Sequence, residues 1–222
     1  MVNFPVPGRN WTFASIKVAG CLILLLAAAA CHAQGLFSVP SGDTLQQGTL
    51  SEDLELDSGP QLRSPKTLNI LAVRYGLVDW LTIGEDFLLT GTVQGQPNFS
   101  LGLYAKGDLA VAGGYENVGV RSFGEQPYLS ASLRVGAARL HTGWTRSNHD
   151  SLMAGAEYAV KDWLSIQADT ITGRDNFTTA GFQVALGSRA ALSLGYMHAN
   201  DRRNGDGLFL DLNWTLTNHG AH

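Results

Sequence analysis

The fold follows from Tyr75-Gly-Leu-Val-Asp-Trp-Leu-Thr-Ile-Gly84, which contains a turn and returns 83 residues later as Tyr158-Ala-Val-Lys-Asp-Trp-Leu-Ser-Ile-Gln167. Five of the ten positions are identical, and a serine replaces a threonine at a sixth. In both copies an Asp-Trp pair lies between two runs of alternating apolar and polar residues, which is the period of a β-strand. Two copies of one hairpin predict a sheet built by repetition.

The same alternation continues over most of the chain after residue 48. Thr49 to Asp57, for example, has leucines on one face and acidic or hydroxyl side chains on the other, whereas a helix would scatter the acids around its circumference. The pattern predicts twelve strands, most of them about as long as a tilted strand that crosses a bilayer. They lie near 49–57, 67–77, 80–90, 98–106, 108–116, 127–135, 138–146, 151–160, 163–172, 177–186, 189–198 and 206–216.

The connections between the predicted strands alternate between two kinds. Every second one is a longer polar segment, such as Asn200–Asp206. Short turns at one end and long loops at the other are typical of an outer-membrane barrel, and an even strand number leaves both termini on the periplasmic side. The tight turns are at Val78-Asp79, Lys106-Gly107, Gly136-Ala137, Lys161-Asp162 and Gly187-Ser188.

The N-terminus has the three parts of an export signal. Arg9 and Lys17 precede an apolar run over 18–30, and small residues follow. The run is short for a bilayer span, so a signal anchor is the weaker alternative. Two processing routes are open: cleavage after Ala33, or lipidation of Cys31, because Ala28-Ala-Ala-Cys31 resembles a degenerate bacterial lipobox.

Removal of the signal leaves a chain of 13 Lys and Arg against 19 Asp and Glu, without cysteine. Such a chain has no disulfides, and the lack of a basic stripe argues against a nucleic-acid partner. We expect a signal peptide over 1–33, a periplasmic lead-in over 34–46, a β-barrel over 47–216 and a C-terminal tail over 217–222.

One face of the predicted sheet is consistently apolar and the other is polar and small. A soluble barrel would show the same alternation, so the period alone does not choose between them. Scarce charge, leucine rows and segregated loops favour lipid outside and a polar lumen inside. The charged lumen residues would either filter solutes or form ion pairs that fill the lumen. The candidates are Asp53, Glu55, Arg74, Asp86, Lys106, Arg134, Arg139, His141, Glu157, Asp169 and Asp211.

Several aromatic residues lie towards the ends of the predicted strands. They would form a girdle at the level of the lipid headgroups, although strand propensity alone also favours aromatic residues. Glu52 and Glu85 fall on the lipid face, where a charge is costly near the midplane. The girdle candidates are Tyr75, Trp80, Trp144, Tyr158, Trp163, Tyr196 and Trp214.

The sequence does not favour an enzyme. His141 with Ser147, or His198 with Asp201, would be hydrolase candidates, yet neither pair lies in a nucleophile motif. Spaced His and Cys ligands are missing, and Asn200–Asp206 lacks the ligand spacing of a calcium loop. We expect no catalytic residue, no cofactor and no metal site.

Residues 47–216 resemble a bacterial outer-membrane β-barrel protein of the porin-like kind. Separately, Gly35-Leu-Phe-Ser-Val-Pro-Ser-Gly-Asp-Thr-Leu-Gln-Gln-Gly48 is similar to the lead-in of the YjbH-like barrel lipoproteins associated with exopolysaccharide export. Such barrels usually end on an aromatic residue that the assembly machinery reads, whereas here Trp214 is followed by a further eight residues.

The resemblance implies a protein of the bacterial outer membrane whose partners are membrane lipid, the barrel-assembly machinery and small solutes. It would act as a passive pore or a transport-related channel. The alternative is a non-conducting structural or envelope-polysaccharide-associated barrel. The sequence leaves the cargo and the oligomeric state open.

Overall fold

The structure, a computed structural model, describes residues 36–58, 68–89, 93–119, 125–203 and 205–217. Twelve antiparallel strands form one sheet, in which each strand pairs with its neighbours in sequence and β1 pairs with β12. The predicted closed antiparallel barrel is therefore confirmed. The strands are β1 (Thr49–Ser58), β2 (Leu68–Val78), β3 (Leu81–Leu88), β4 (Gln94–Lys106), β5 (Leu109–Glu116), β6 (Gln126–Val135), β7 (Ala138–Arg146), β8 (Asp150–Lys161), β9 (Leu164–Ile171), β10 (Phe177–Ala185), β11 (Ala190–Ala199) and β12 (Gly207–Thr217).

None of these described residues forms a helix long and apolar enough to cross a membrane. The predicted signal peptide, Cys31 and nearly all of the predicted tail lie outside the described residues.

The two ends of the barrel differ in their connections. Two residues separate β2 from β3, β4 from β5, β6 from β7 and β8 from β9, and four separate β10 from β11. At the other end, three to nine residues separate consecutive strands, and the shortest of these connections lies between β7 and β8. We call these the short-turn end and the long-loop end.

The repeated stretch forms the same bulged hairpin twice. Tyr75 pairs with Ile83 in the first copy, and Tyr158 pairs with Ile166 in the second. In both copies the register shifts just before the turn, between Gly76 and Val78 and between Ala159 and Lys161. A bulge bends and twists the strand that carries it, and bulges are frequent at the rims of barrels.

A third bulge changes one sequence prediction. The register of β4 against β5 shifts between Gly102 and Tyr104, so Lys106 pairs with Leu109, whose exposed side chain belongs to the outward row. Cross-strand partners lie on the same face of a sheet. Lys106 therefore does not lie on the lumen row, because the extra residue of the bulge reverses the faces beyond it.

The wall of the barrel is polar inside and apolar outside. Among the described residues, fifteen polar or charged side chains are buried against nine apolar ones, while leucines, aromatics and other large apolar residues lie exposed. A soluble barrel would bury its apolar row instead. This arrangement suits a barrel surrounded by lipid.

Residues 36–47, which we call the lumen segment, contain no helix or strand and lie inside the barrel. Val39 and Leu45 are each only 2% exposed. A barrel of eight strands is filled by its own side chains, whereas one of sixteen leaves a channel, so twelve strands leave room for an additional chain segment. The segment predicted as a periplasmic lead-in is thus placed within the barrel, where it buries its apolar side chains.

Candidate functional site in the barrel lumen

The lumen segment is held near the short-turn end by hydrogen bonds to the first turn. Thr44 donates its hydroxyl to the carbonyl oxygen of Asp79 at 2.6 Å, and the amide of Gln47 donates to Asp79 Oδ1 at 2.9 Å. The amide of Leu45 donates to Thr82 Oγ1 at 2.8 Å. Gly76 allows this approach, because a methyl group there would overlap the carbonyl oxygen of Gln46. These contacts fix the segment to the β2–β3 hairpin.

The middle of the segment contacts the opposite part of the wall. Asp43 forms an ion pair with Arg139 of β7, and Ser132 of β6 donates its hydroxyl to Asp43 Oδ2 at 3.3 Å. Arg139 also donates to Ser132 Oγ at 3.2 Å. Because Arg139 is 18% exposed and Asp43 is 38% exposed, water screens this pair only in part.

The far part of the segment is bound to β9, β10 and β12. The amide of Ser38 donates to Asp169 Oδ2 at 2.8 Å, and the hydroxyls of Ser38 and Thr179 lie 3.3 Å apart. Phe37 packs edge-on against Phe209 with ring centroids 5.0 Å apart. The segment therefore crosses the lumen and adds apolar side chains to a wall that is mostly polar.

The space left beside the segment is a cavity of about 270 Å³. The segment lines one side, and the inner faces of β1–β6 and β9–β12 supply most of the remainder. Its charged lining residues are six carboxylates and one guanidinium: Asp43, Asp53, Glu55, Asp86, Glu116, Asp211 and Arg74.

Arg74 organises part of this charge. Its guanidinium donates to Asp53 Oδ2 at 3.0 Å and to Asp86 Oδ1 at 3.2 Å, so one cation bridges two carboxylates on β1 and β3. Asn213 of β12 donates to the same Asp53 and to Ser51 Oγ. Charge-assisted hydrogen bonds of this kind fix the orientation of the side chains that make them.

The sequence-predicted lumen residues divide into groups. Arg74, Asp86 and Asp211 line the cavity, while Arg139 and Asp169 bind the lumen segment. Arg134, His141 and Glu157 lie on the inward row, and His141 is 4% exposed. Sequence reasoning missed Glu116, although its alternation with Ala110, Ala112 and Gly114 places it on the same inward row. It also missed Asp43, which no strand pattern could place in the lumen.

Several solved structures have the same architecture as this barrel. The fold is that of the porins. A KdgM porin in complex with disordered oligogalacturonate matches with a TM-score of 0.53 and 8% identity, over 77% of this chain and 99% of that chain. A NanC porin matches with a TM-score of 0.55 and 10% identity, over 76% of this chain and 99% of that chain. No protein-family model matches the sequence, and no curated protein matches it significantly.

Outside this porin-type barrel, the predicted girdle residues lie in two groups. Tyr75, Trp80, Tyr158 and Trp163 are 40–58% exposed near the short-turn end, where Trp214 also lies on the outward row. Trp144 and Tyr196 lie nearer the long-loop end. Lys161 Nζ lies 5.5 Å from the centre of the Trp163 ring, which places a cation beside an aromatic at the rim.

Charged residues in and beside the β11–β12 loop form ion pairs with one another. His198 Nδ1 lies 2.8 Å from Asp206 Oδ1, so its partner is Asp206 and not Asp201. Asp201 accepts a 3.0 Å hydrogen bond from Arg203 Nε, and the hydrogen bonds from Arg203 hold the pKa of Asp201 below its usual range. Within the described part of the chain, no group of three or more His, Cys, Asp and Glu side chains is placed to hold a metal ion.

Proposed function

We propose that this chain is a bacterial outer-membrane channel that passes small solutes passively, and that the lumen segment sets the width of its pathway. The observation that carries the proposal is the inside-out barrel: an apolar outer surface surrounds a polar lumen that contains a cavity of about 270 Å³. A pathway through lipid needs both features, because the outside must replace water with hydrocarbon and the inside must keep solutes hydrated.

The membrane location is supported by three further features. The closed sheet pairs each of the twelve described strands on both sides, so none of these strands has an edge exposed to hydrocarbon. The outward row carries large apolar side chains, with aromatic residues towards both ends. The N-terminal sequence has the pattern of an export signal. Membrane lipid and the barrel-assembly machinery are the partners that such a barrel requires.

The lumen segment predicts a narrow pathway. It contacts β3, β6, β7, β9, β10 and β12, and so occupies much of the cross-section. Solutes would pass between this segment and the inner faces of β1–β6 and β12, where Arg74 and most of the acidic lining residues lie. We expect a smaller conductance than an unobstructed barrel of twelve strands would give.

A second function is favoured by the same segment. If the segment never leaves its position and the cavity does not continue to both ends, the chain is a non-conducting structural or polysaccharide-associated barrel. The KdgM porin with which it shares its fold was solved with oligogalacturonate, an acidic sugar chain. The acidic lining of this lumen would repel such a polyanion, so we do not propose oligogalacturonate as a solute of this chain.

Single-channel recording in planar bilayers tests the proposal. The purified, processed protein should migrate faster on a gel unboiled than boiled, as folded barrels do, and should give discrete small current steps after insertion. Folded protein that inserts into vesicles and never conducts, both as wild type and with the lumen segment loosened by Asp43→Arg, would leave the structural barrel as the better reading.

A further inference from the structure

We infer that the cavity beside the lumen segment selects small cationic solutes over anions, an inference that rests on the proposed channel function. The first observation is the balance of charge on the lining. Six carboxylates face one guanidinium, and Arg74 is already shared between Asp53 and Asp86. Asp43 is paired with Arg139.

The three remaining acidic lining residues lie outside these ion pairs. Within the described residues, Glu55, Glu116 and Asp211 form no ion pair with Lys, Arg or His. Glu55 and Asp211 are direct cross-strand partners on β1 and β12, and Glu116 lies on β5. Like charges that face each other destabilise a sheet, and either a bound cation or a proton on one carboxyl group would relieve this repulsion.

A second observation points to a ligand that donates hydrogen bonds or carries positive charge. Asn213 lines the cavity, is only 6% exposed, and uses its amide nitrogen for Ser51 and Asp53. Among the described residues its Oδ1 atom has no donor, and neither has Asp211 Oδ1 on the same strand. Buried acceptors without donors are uncommon in folded proteins, because their desolvation is then uncompensated.

The acceptors and the unpaired carboxylates lie together on adjacent strands. Asn213 pairs with Asp53, and Asp211 pairs with Glu55, so four oxygen-bearing side chains form one patch of the lining. A pore wall of low dielectric constant focuses such a field and raises the local concentration of the opposite charge. Potassium or a short alkylammonium ion would be attracted into this patch, whereas chloride or a carboxylate solute would be excluded.

The test measures the zero-current potential across a planar bilayer that separates two KCl concentrations. The sign of the potential across the wild-type channel should show that potassium is more permeant than chloride. Glu55→Gln combined with Asp211→Asn should move the permeability ratio several-fold towards one. Glu52→Gln is the matched control, since Glu52 lies on the same strand but on the outward row beside Trp214, and it should leave the ratio unchanged.

The outcomes separate the two proposals. A current with no preference, or with preference for chloride, would overturn the cation selectivity and leave the channel function standing. The absence of any current from folded protein, both as wild type and as Asp43→Arg, would overturn both, because selectivity requires a pathway. If the double variant fails to fold, Glu116→Gln on β5 replaces it, and its permeability ratio should also move towards one. An unchanged permeability ratio in Glu116→Gln would count against the inference.

Discussion

Ser38 in the lumen segment donates its backbone amide to Asp169 of β9 at 2.8 Å, a contact between residues that lie 131 positions apart in the chain. The same serine places its hydroxyl 3.3 Å from that of Thr179 on β10. A segment that binds two strands of the far wall in this way is part of the lumen, and its position can be tested directly.

A disulfide should form between the segment and the wall in the double variant Ser38→Cys and Thr179→Cys. The two hydroxyl oxygens are close enough that sulfur atoms on the same β-carbons can reach bonding distance. From residue 32 onwards the chain has no other cysteine. Oxidised protein should show a gel shift that a reducing agent reverses.

The control for this cross-link is Thr170→Cys with Thr178→Cys. These threonines are cross-strand partners on β9 and β10, with hydroxyls 2.9 Å apart, and do not involve the segment. If this pair cross-links and the pair at 38 and 179 does not, the segment lies elsewhere.

Reversing the charge of Asp43 should widen the pathway. Asp43→Arg places a second guanidinium against Arg139 and repels the middle of the segment from β7. We expect a larger single-channel conductance than in the wild type. The swapped variant, Asp43→Arg with Arg139→Asp, should restore the attraction, worth about 1 kcal/mol for a partly exposed pair, and with it the wild-type conductance. Equal conductance in all three proteins would contradict this role for the pair.

Gly76→Ala should loosen the segment where it joins β1. The new methyl group would overlap the carbonyl oxygen of Gln46, which is backbone and cannot rotate away. The amide of Leu45 should then exchange with solvent faster, about tenfold for each 1.4 kcal/mol by which docking is weakened. Gly113→Ala is the comparison, because its methyl group would meet its nearest neighbour at 3.3 Å and lies away from the segment. Similar exchange at Leu45 in both variants would refute the clash.

Trp80 and Trp163 should lie at the depth of the lipid headgroups. Both are more than half exposed next to short turns. In variants that keep only Trp80 or only Trp163, we expect lipids brominated near the headgroup to quench the tryptophan fluorescence more strongly than lipids brominated near the end of the acyl chain. Leu194→Trp in a background without other tryptophans is the control. Because Leu194 is an exposed residue halfway along β11, its tryptophan should be quenched more strongly by bromines near the bilayer centre. The same depth for all three positions would argue against a girdle.

The β11–β12 loop should lose local order as the pH falls. Hydrogen bonds from Arg203 hold the pKa of Asp201 below its usual range, so this carboxylate stabilises the loop above its unfolded-state pKa and ceases to do so as the pH falls through its folded-state pKa. Arg203→Ala should move the pKa of Asp201 back towards about 3.9, as measured by NMR titration of the carboxyl carbon. Arg202→Ala, which leaves the bonds to Asp201 intact, should not. A low pKa in both variants would show that Arg203 is not the cause.

The sequence by itself determined the number of strands, their order and the face of nearly every residue. These follow from a period of two residues and from turn residues, which act over a few positions along the chain. Asp86, Asp211 and Arg74 could thus be assigned to the lumen without coordinates, and Glu116 carried the same signal.

Only the tertiary structure decided the contents of the lumen and the exceptions to the period. The bulge in β4 reverses the face of Lys106, because one extra residue is absorbed by a local geometry that alternation does not report. The place of residues 36–47 depends on contacts such as those of Ser38 with Asp169 and of Asp43 with Arg139, which join distant parts of the chain. The segment has no period of its own, and its apolar residues are buried only because the closed barrel has a lumen wide enough to hold them.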